Sequence, residues 1–516
     1  MKQRIIIFFI LLFFANSLYA QVTVEYFGGA ERVSGSCALL QTDETSVIID
    51  CGTFYEENKL PADNKTVDKQ LINAEYLILT HAHVDHSGRI PLLVSKGFNG
   101  KIYLTKATKD ILLELFSKGW NYDDVEQNYF WSKKQRTNCQ KKHQGTTTLH
   151  WYKTCLNAIS NTETSNNKET LSDLNKRYNI NFKLCKKCLK KQLDLFIKQL
   201  KTVDYNQEIK LSKNTSFYLV DAGHIPGSAS VFIKVKDNYL KKILFSGDLG
   251  NNYSRLLNKK PSAPEADFIF MENTYGATDR KTSQKDYDIF QAEIYKALSH
   301  NEIVWIPALS LNRTQKILFE LKLAQNKGLI PEDVPVFSLS PTSNDITNLY
   351  EKEIKNPSAQ KWFNPEIYKQ GSLLPKNYIL KKQKIYPKPS IIISASGMMD
   401  KGISNSLIKH LLPMRDVNVF LVSYASPQTP AGKLKKNAKK IGKIPVNATV
   451  KSFDIFSDHP DIYDRVSWLT PANKNSKIFL VHGDKVNYVP TKTFLNGKGF
   501  KDVFEMPANK KLILDN

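Results

Sequence analysis

The sequence predicts an α/β protein of two packed units, and three observations carry that reading. The chain has 516 residues, more than one ordinary domain, and 41% of them are hydrophobic, enough to fill real cores. Its first part alternates short apolar strands with Gly-containing loops, as layered sheets do. Its later part alternates strand and helix at the spacing of parallel strands joined by crossover helices.

Residues 1–20 place Lys2 and Arg4 before an apolar run from Ile5 to Phe14, then a polar break and Ala20. This is the pattern of a secretory signal peptide, departing from it only at Leu18, where a small residue is usual. The run is shorter than the roughly 20 apolar residues that span a bilayer, and no later segment reads as a span. An exported, soluble protein is therefore expected, periplasmic or extracellular, with no transmembrane segment in the mature chain.

From Val22 to about Gly119 the strand-like stretches are VTVEYFGG, SCALLQT, SVIIDCG, AEYLILT and KIYLT, followed by the helical pattern TKDILLELFSKG. Cys37 and Cys51 lie in or beside these strands and read as small core residues. Residues 120–205 break the rhythm: they are polar, strongly basic, and carry Cys139, Cys155, Cys185 and Cys188. They read as an insertion whose cysteines form disulfides, hold a structural zinc ion, or stay free. Strand-like text then resumes in TSFYLVDAGH, ASVFIKV, KKILFSGDLG and ADFIFMENTYG. The second unit runs from NEIVWIP to VNVFLVSYAS, and the tail from Val450 returns to FSDHPD, a helix and IFLVHGD. A net charge of +23 suits a polyanionic partner, nucleic acid or an anionic membrane surface, unless it only keeps a basic surface soluble.

The chemistry concentrates in THAHVDHSGRIP. His81, His83, Asp85 and His86 follow an apolar strand in a tight loop, where alternate residues can serve two nearby centres. Imidazole and carboxylate together suit zinc, or otherwise manganese or iron. Two centres need more ligands, and His224, Asp248 and His482 each stand immediately after an apolar strand. Loops at strand ends converge on one edge of a sheet, where an α/β protein builds its site.

Read in order, ERVSGSC, IIDCG, THAHVDHSGRIP, DAGHIPGSAS, FSGDLG, MENTYG, IPALSLNRTQKIL, SASGMMDKG, FSDHPD and LVHGD run through nearly the whole mature chain. In these motifs the sequence resembles the metallo-β-lactamase superfamily, and within it the β-CASP nuclease branch that includes the pre-mRNA 3′-end cleavage endonuclease and ribonuclease J. The resemblance implies an αββα sandwich with an inserted second α/β (β-CASP) domain: a first part at 21–273, the β-CASP domain at 274–450, and a return to the first domain at 451–516. It also implies two Zn2+ ions, with Mn2+ or Fe2+ as alternatives. His81, His83, His224 and Asp248 would hold the first, and Asp85, His86 and His482 the second, with Asp248 bridging. Asp50 matches the aspartate that orients a ligand histidine, a role expected on physical grounds too.

Glu272 and His459 match the branch's acidic residue and additional histidine. A carboxylate hydrogen-bonded to a histidine makes a good proton donor, so His459 is read as the general acid and Glu272 as its orienter. The implied reaction is hydrolysis of a phosphodiester in nucleic acid: metal-activated hydroxide attacks phosphorus in line, leaving 5′-phosphate and 3′-hydroxyl ends. By the same resemblance, in which this position tends to be histidine in RNA-cleaving members, His482 leans the substrate toward RNA. Ser394 and Ser396 in SASGMM, Arg313 and Lys433 are candidates for phosphate contacts; a polar turn and, for Arg313, an interdomain salt bridge are the plain alternatives. Lys433 stands where the branch commonly has arginine, and a lysine lacks the planar fork. Against the ribonuclease stand a hydrolase of esters, lactams or thioesters, a DNA-directed nuclease and a silent scaffold. A homodimer stays open.

Overall fold

In a computed structural model of the chain, the described residues are 21–55, 64, 66–117, 196–237, 239–356, 362–380 and 383–515. The expected signal peptide, and most of the expected insertion with its four cysteines, lie outside them.

Two seven-stranded mixed sheets pack face to face. The first runs, in spatial order, Lys511–Ile513, Thr23–Gly28, Cys37–Gln41, Ser46–Ile49, Tyr76–Ile78, Lys101–Leu104 and Leu200–Thr202. The second runs Val503–Glu505, Lys477–Val481, Phe268–Glu272, Leu240–Phe245, Ala229–Lys236, Thr215–Asp221 and Ile209–Lys210. Side chains alternate across a strand, and the apolar residues sort by that period of two. Val24, Ala38, Leu40, Val47 and Ile49 of the first sheet meet Phe217, Val231, Ile243, Phe245 and Phe270 of the second in the inner core. The alternate residues face outward beneath helices. Leu39, Ile48, Leu77 and Ile102 pack with Leu71, Leu93 and Ile111. Phe232, Leu244, Ile269 and Leu480 pack with Ile462, Trp468 and Leu495. Helix, sheet, sheet and helix thus form four layers, as the resemblance implies.

The second unit enters after Phe268–Glu272 and leaves before Lys477–Val481, two strands that pair in parallel. Its six-stranded sheet is parallel throughout, in the order Tyr378–Ile379, Val336–Ser338, Ser390–Ser394, Ile303–Pro307, Val417–Leu421 and Thr449–Ser452. Parallel sheets are covered on both faces, which is why IVWIP and SIIIS are buried along their whole length. Val304 and Ile306 face the core that continues into the sandwich's outer layer, while Ile303 and Trp305 face the far side. One apolar cluster therefore spans both units. No helix among the described residues is long and apolar enough to cross a membrane.

Trp305 is fully buried on the central strand, and its indole N–H donates to Ser394 Oγ at 2.9 Å. Trp305→Ala is expected to cost about 3–5 kcal/mol of stability through the cavity it leaves. Denaturant unfolding followed by circular dichroism measures this, and a loss below about 1 kcal/mol would contradict the packing described.

Candidate metal centre

The motifs meet because strands of like direction bring their C-terminal ends to one edge of the sandwich. Asp50 follows Ser46–Ile49, and Thr80 to His83 follow Tyr76–Ile78. His224, Asp248 and His482 follow three strands of the facing sheet, and Glu272 ends a fourth. Turn is fastened to turn by backbone hydrogen bonds: Ser36 N–H to Asp85 O, Cys51 N–H to His86 O and Thr53 N–H to Val84 O. Contact is so close at Gly52 that a Cβ would lie 1.5 Å from the Asp85 carbonyl oxygen. Only glycine fits there. Asp50 and His482 both adopt positive φ, 61° and 49°, a conformation rare outside glycine that tight fastening sustains at functional sites.

Two donor sets result. In the first, His83 Nδ1 lies 3.0 Å from His81 Nε2 and 3.1 Å from His224 Nε2, while Asp248 Oδ2 lies 3.6 and 3.7 Å from those two nitrogens. Zinc bonds of roughly 2.0–2.1 Å in a tetrahedron put neighbouring donors about 3.3 Å apart, so this set has the size of a zinc cage. In the second, Asp248 Oδ1 lies 3.1 Å from His86 Nε2 and 3.4 Å from His482 Nε2, and Asp85 Oδ2 lies 3.8 Å from the latter. Asp248 faces both sets with its two oxygens. His86 Nε2, His482 Nε2 and Asp248 Oδ1 are buried without a hydrogen-bond partner. Orphaned polar atoms of this kind need an explanation, and a shared cation supplies one. These residues fit a pair of divalent metals.

Protonation agrees. Burial, reinforced by neighbouring imidazoles, pushes His83 down to about 3 and His224 to about 4, and lowers His81 and His482 as well. All four are neutral, as ligands must be. Burial works against charge on His86 too, but carboxylates at both ring nitrogens, Asp248 and Asp50, carry its pKa well above the ordinary value. Asp50 accepts from His86 Nδ1 at 2.7 Å, which leaves Nε2 for the metal. It also accepts from Thr80 N–H at 2.8 Å and Thr80 Oγ1 at 2.9 Å; Thr80 Oγ1 lies 3.1 Å from His81 Nδ1. One buried carboxylate thus orients ligands of both sets, directly and through a hydroxyl.

His459 stands beside the centre, its Nδ1 3.1 Å from Glu272 Oε2 and 4.0 Å from Asp248 Oδ2. Burial opposes its protonation, yet the Glu272 charge and hydrogen bond outweigh that and raise it to about 10. Glu272 also accepts from Leu249 N–H and Thr274 Oγ1, each at 2.6 Å. Its oxygens are fully engaged, which suits an orienter better than a ligand.

The phosphate candidates divide. Ser394 is buried, its hydroxyl shared among Trp305 Nε1, Ser404 Oγ and the core, so the structure does not bring it to the site. Ser396 is partly exposed and donates to Asp400 at 2.6 Å. Lys433 is exposed. Arg313 is buried with its guanidinium on Val422 O at 2.5 Å and 3.6 Å from Asp458, which makes it an interdomain contact rather than a free phosphate ligand. Sequence reasoning assigned no role to Thr80, to Tyr55, whose hydroxyl donates to Asp85 at 3.3 Å, or to Arg465, which is buried and donates to the Glu272 carbonyl, Asn273 and Gly276. Thr80 and Tyr55 sit beside quoted motifs and were within reach; a lone arginine in a helix carries no signal.

Three family models match: the metallo-beta-lactamase superfamily over residues 30–140, the Beta-Casp domain over 314–434, and the Zn-dependent metallo-hydrolase RNA specificity domain over 443–487. The chain is a metallo-β-lactamase domain carrying an inserted β-CASP domain. It is similar to an RNase J-like protein of Methanocaldococcus jannaschii, 26% identical across 90% of this chain and 93% of the relative. It is likewise similar to the transcription termination factor FttA of that organism, 25% identical across 90% and 67%, and to a ribonuclease of Thermus thermophilus, 26% identical across 89% and 92%. A crystal structure of a protein of unknown function from Enterococcus faecalis shares the fold at a TM-score of 0.50, with 13% identity over 96% of this chain and all of that one. Asp50→Asn is expected to weaken metal binding by about 10–100-fold, because the orienting carboxylate is lost. Competition with a chromogenic chelator measures it, and unchanged affinity would refute the orienting role.

Proposed function

We propose that the chain is a ribonuclease that hydrolyses phosphodiester bonds at a dinuclear zinc centre. The observation that carries this is the pairing of two donor sets joined through Asp248 with a carboxylate-bound imidazole, His459, immediately beside them. His81, His83, His224 and Asp248 would hold one ion, and Asp85, His86, His482 and Asp248 the other. Bound there, two divalent ions acidify water and offset charge on the scissile phosphate. The chain's own groups supply the rest. Asp50 and Thr80 hold ligand imidazoles in the tautomer that presents Nε2. Glu272 keeps His459 protonated through Nδ1, so Nε2–H is the proton delivered to the departing sugar oxygen. Releasing that oxygen as an alcohol leaves a 3′-hydroxyl and places the phosphate on the 5′ side.

RNA is favoured by the RNA specificity domain match at 443–487 and by the ribonuclease relatives. A charge of +23 suits any nucleic acid and predicts binding that weakens steeply with salt. Export is part of the proposal, resting on the basic and apolar N-terminal sequence alone, and makes extracellular RNA the substrate pool. Mass spectrometry of the mature N-terminus tests it, with an intact Met1 as the opposing result.

Incubation of zinc-loaded protein with end-labelled RNA, matching DNA, and chromogenic lactam and thioester substrates separates this reading from the other hydrolases. His459→Ala is expected to slow RNA cleavage by about 10²–10⁴-fold, the usual value of a general acid. Asp85→Ala is expected to abolish it with loss of metal. Cleavage that survives both substitutions would overturn the mechanism.

A further inference from the structure

The loop Ser457–His459, which carries the proton donor, is gripped from two sides. The sandwich holds it through Asn251 Nδ2, which donates to Ser457 O at 2.6 Å, and the hydroxyl of Tyr275, where the chain passes into the second unit, accepts from Ser457 Oγ at 2.9 Å. The β-CASP side holds it through helix Arg313–Asn326, which is buried along most of its length and presents a polar first turn to the sandwich. Lys316 Nζ stands 2.5 Å from Asp458 Oδ1 and donates to Ser457 O at 3.1 Å. Asn312 Nδ2 donates to the same Asp458 oxygen at 2.7 Å and lies 3.2 Å from the carbonyl of the ligand His224, while its own Oδ1 accepts from Tyr350. Arg313 faces the other Asp458 oxygen at 3.6 Å. Asp458, Lys316 and Asn312 are all buried.

Such a cluster is a poor source of stability, since desolvating a carboxylate and two cations costs about what their attraction returns. What it provides is one geometry: each group is buried against a fixed partner. That geometry connects a metal-ligand loop, the first turn of the second domain's helix and the residue next to the proton donor. We propose that Asn312, Lys316 and Asp458 are positioning residues through which the β-CASP domain sets the place of the His459 imidazole. This inference rests on the hydrolytic reading above. None of the three touches the reacting atoms; each acts through the backbone of the 457–459 loop.

The leaving group separates positioning from general support. RNA releases a poor leaving group that needs a proton, whereas bis(p-nitrophenyl) phosphate releases p-nitrophenolate without one. The test uses the full chain with zinc bound and compares Asp458→Asn, Lys316→Met and Asn312→Gly with the parent on both substrates, with Lys316→Arg as the conservative variant. Asn312→Gly keeps the positive φ of 62° accessible and leaves the Lys316–Asp458 pair intact, so it reports even where the charge variants fail to fold. For each folded variant, kcat on RNA is expected to fall about 10–100-fold, part of what a general acid contributes, with KM and zinc content unchanged and the nitrophenyl ester turned over at the parent rate. Lys316→Arg should recover part of the RNA rate. Equal losses on both substrates, or no loss on RNA, would overturn the positioning role while leaving the hydrolase standing. A parent that cleaves neither substrate would remove both.

Discussion

The site depends on one carboxylate being shared. Asp248 turns an oxygen toward each of two groups of imidazoles at the floor of a buried cleft, where desolvation disfavours charge on His81, His83, His224 and His482 while His86, between two carboxylates, is held well above the ordinary value. An anion so placed would be costly alone. Cationic neighbours make it tolerable, and the surroundings show how far the chain goes to keep it there: four strand ends in one sheet, turns bonded turn to turn, and a glycine where no side chain could pass.

Beyond the centre, the organising feature is the joint between the two units. One apolar core cluster crosses it, running from the outer helices of the sandwich into the parallel sheet. At its inner edge the joint turns polar, where Asn312, Arg313 and Lys316 meet Asp458. The shared cluster makes the two units one body, and the polar edge gives that body a register. Arg465 supports the same region from behind by holding the backbone around Glu272.

Much of this was legible in the sequence. Strand period, strand–helix alternation and the ligand-rich loops announced layered sheets, a parallel second unit and the donor residues, because each is a local pattern with a local physical cause. What stayed hidden was relational. Ser394 reads as a hydroxyl in a polar turn, yet its strand is buried on both faces and the hydroxyl serves Trp305. Arg313 left two readings open, and only the fold places Asp458 opposite it. Asp458 itself lies within a motif and gave no sign of its partners, since a pair that forms between units leaves no periodic trace. That Asp50 orients a ligand histidine was readable; that this histidine is His86, and that the reach extends to His81 through Thr80, was not.

The parallel pairing of Phe268–Glu272 with Lys477–Val481 bears on time as well as space. These neighbours in the sheet are separated in the chain by the whole β-CASP unit, and His482, a donor of the second set, comes directly after the later strand. Contacts so distant in sequence form late. As the chain leaves the ribosome, the first donor set is complete long before the second, whose Asp85 and His86 wait for His482. The centre closes only when synthesis is nearly finished, so a chain interrupted before Lys477–Val481 carries a second set short of one donor.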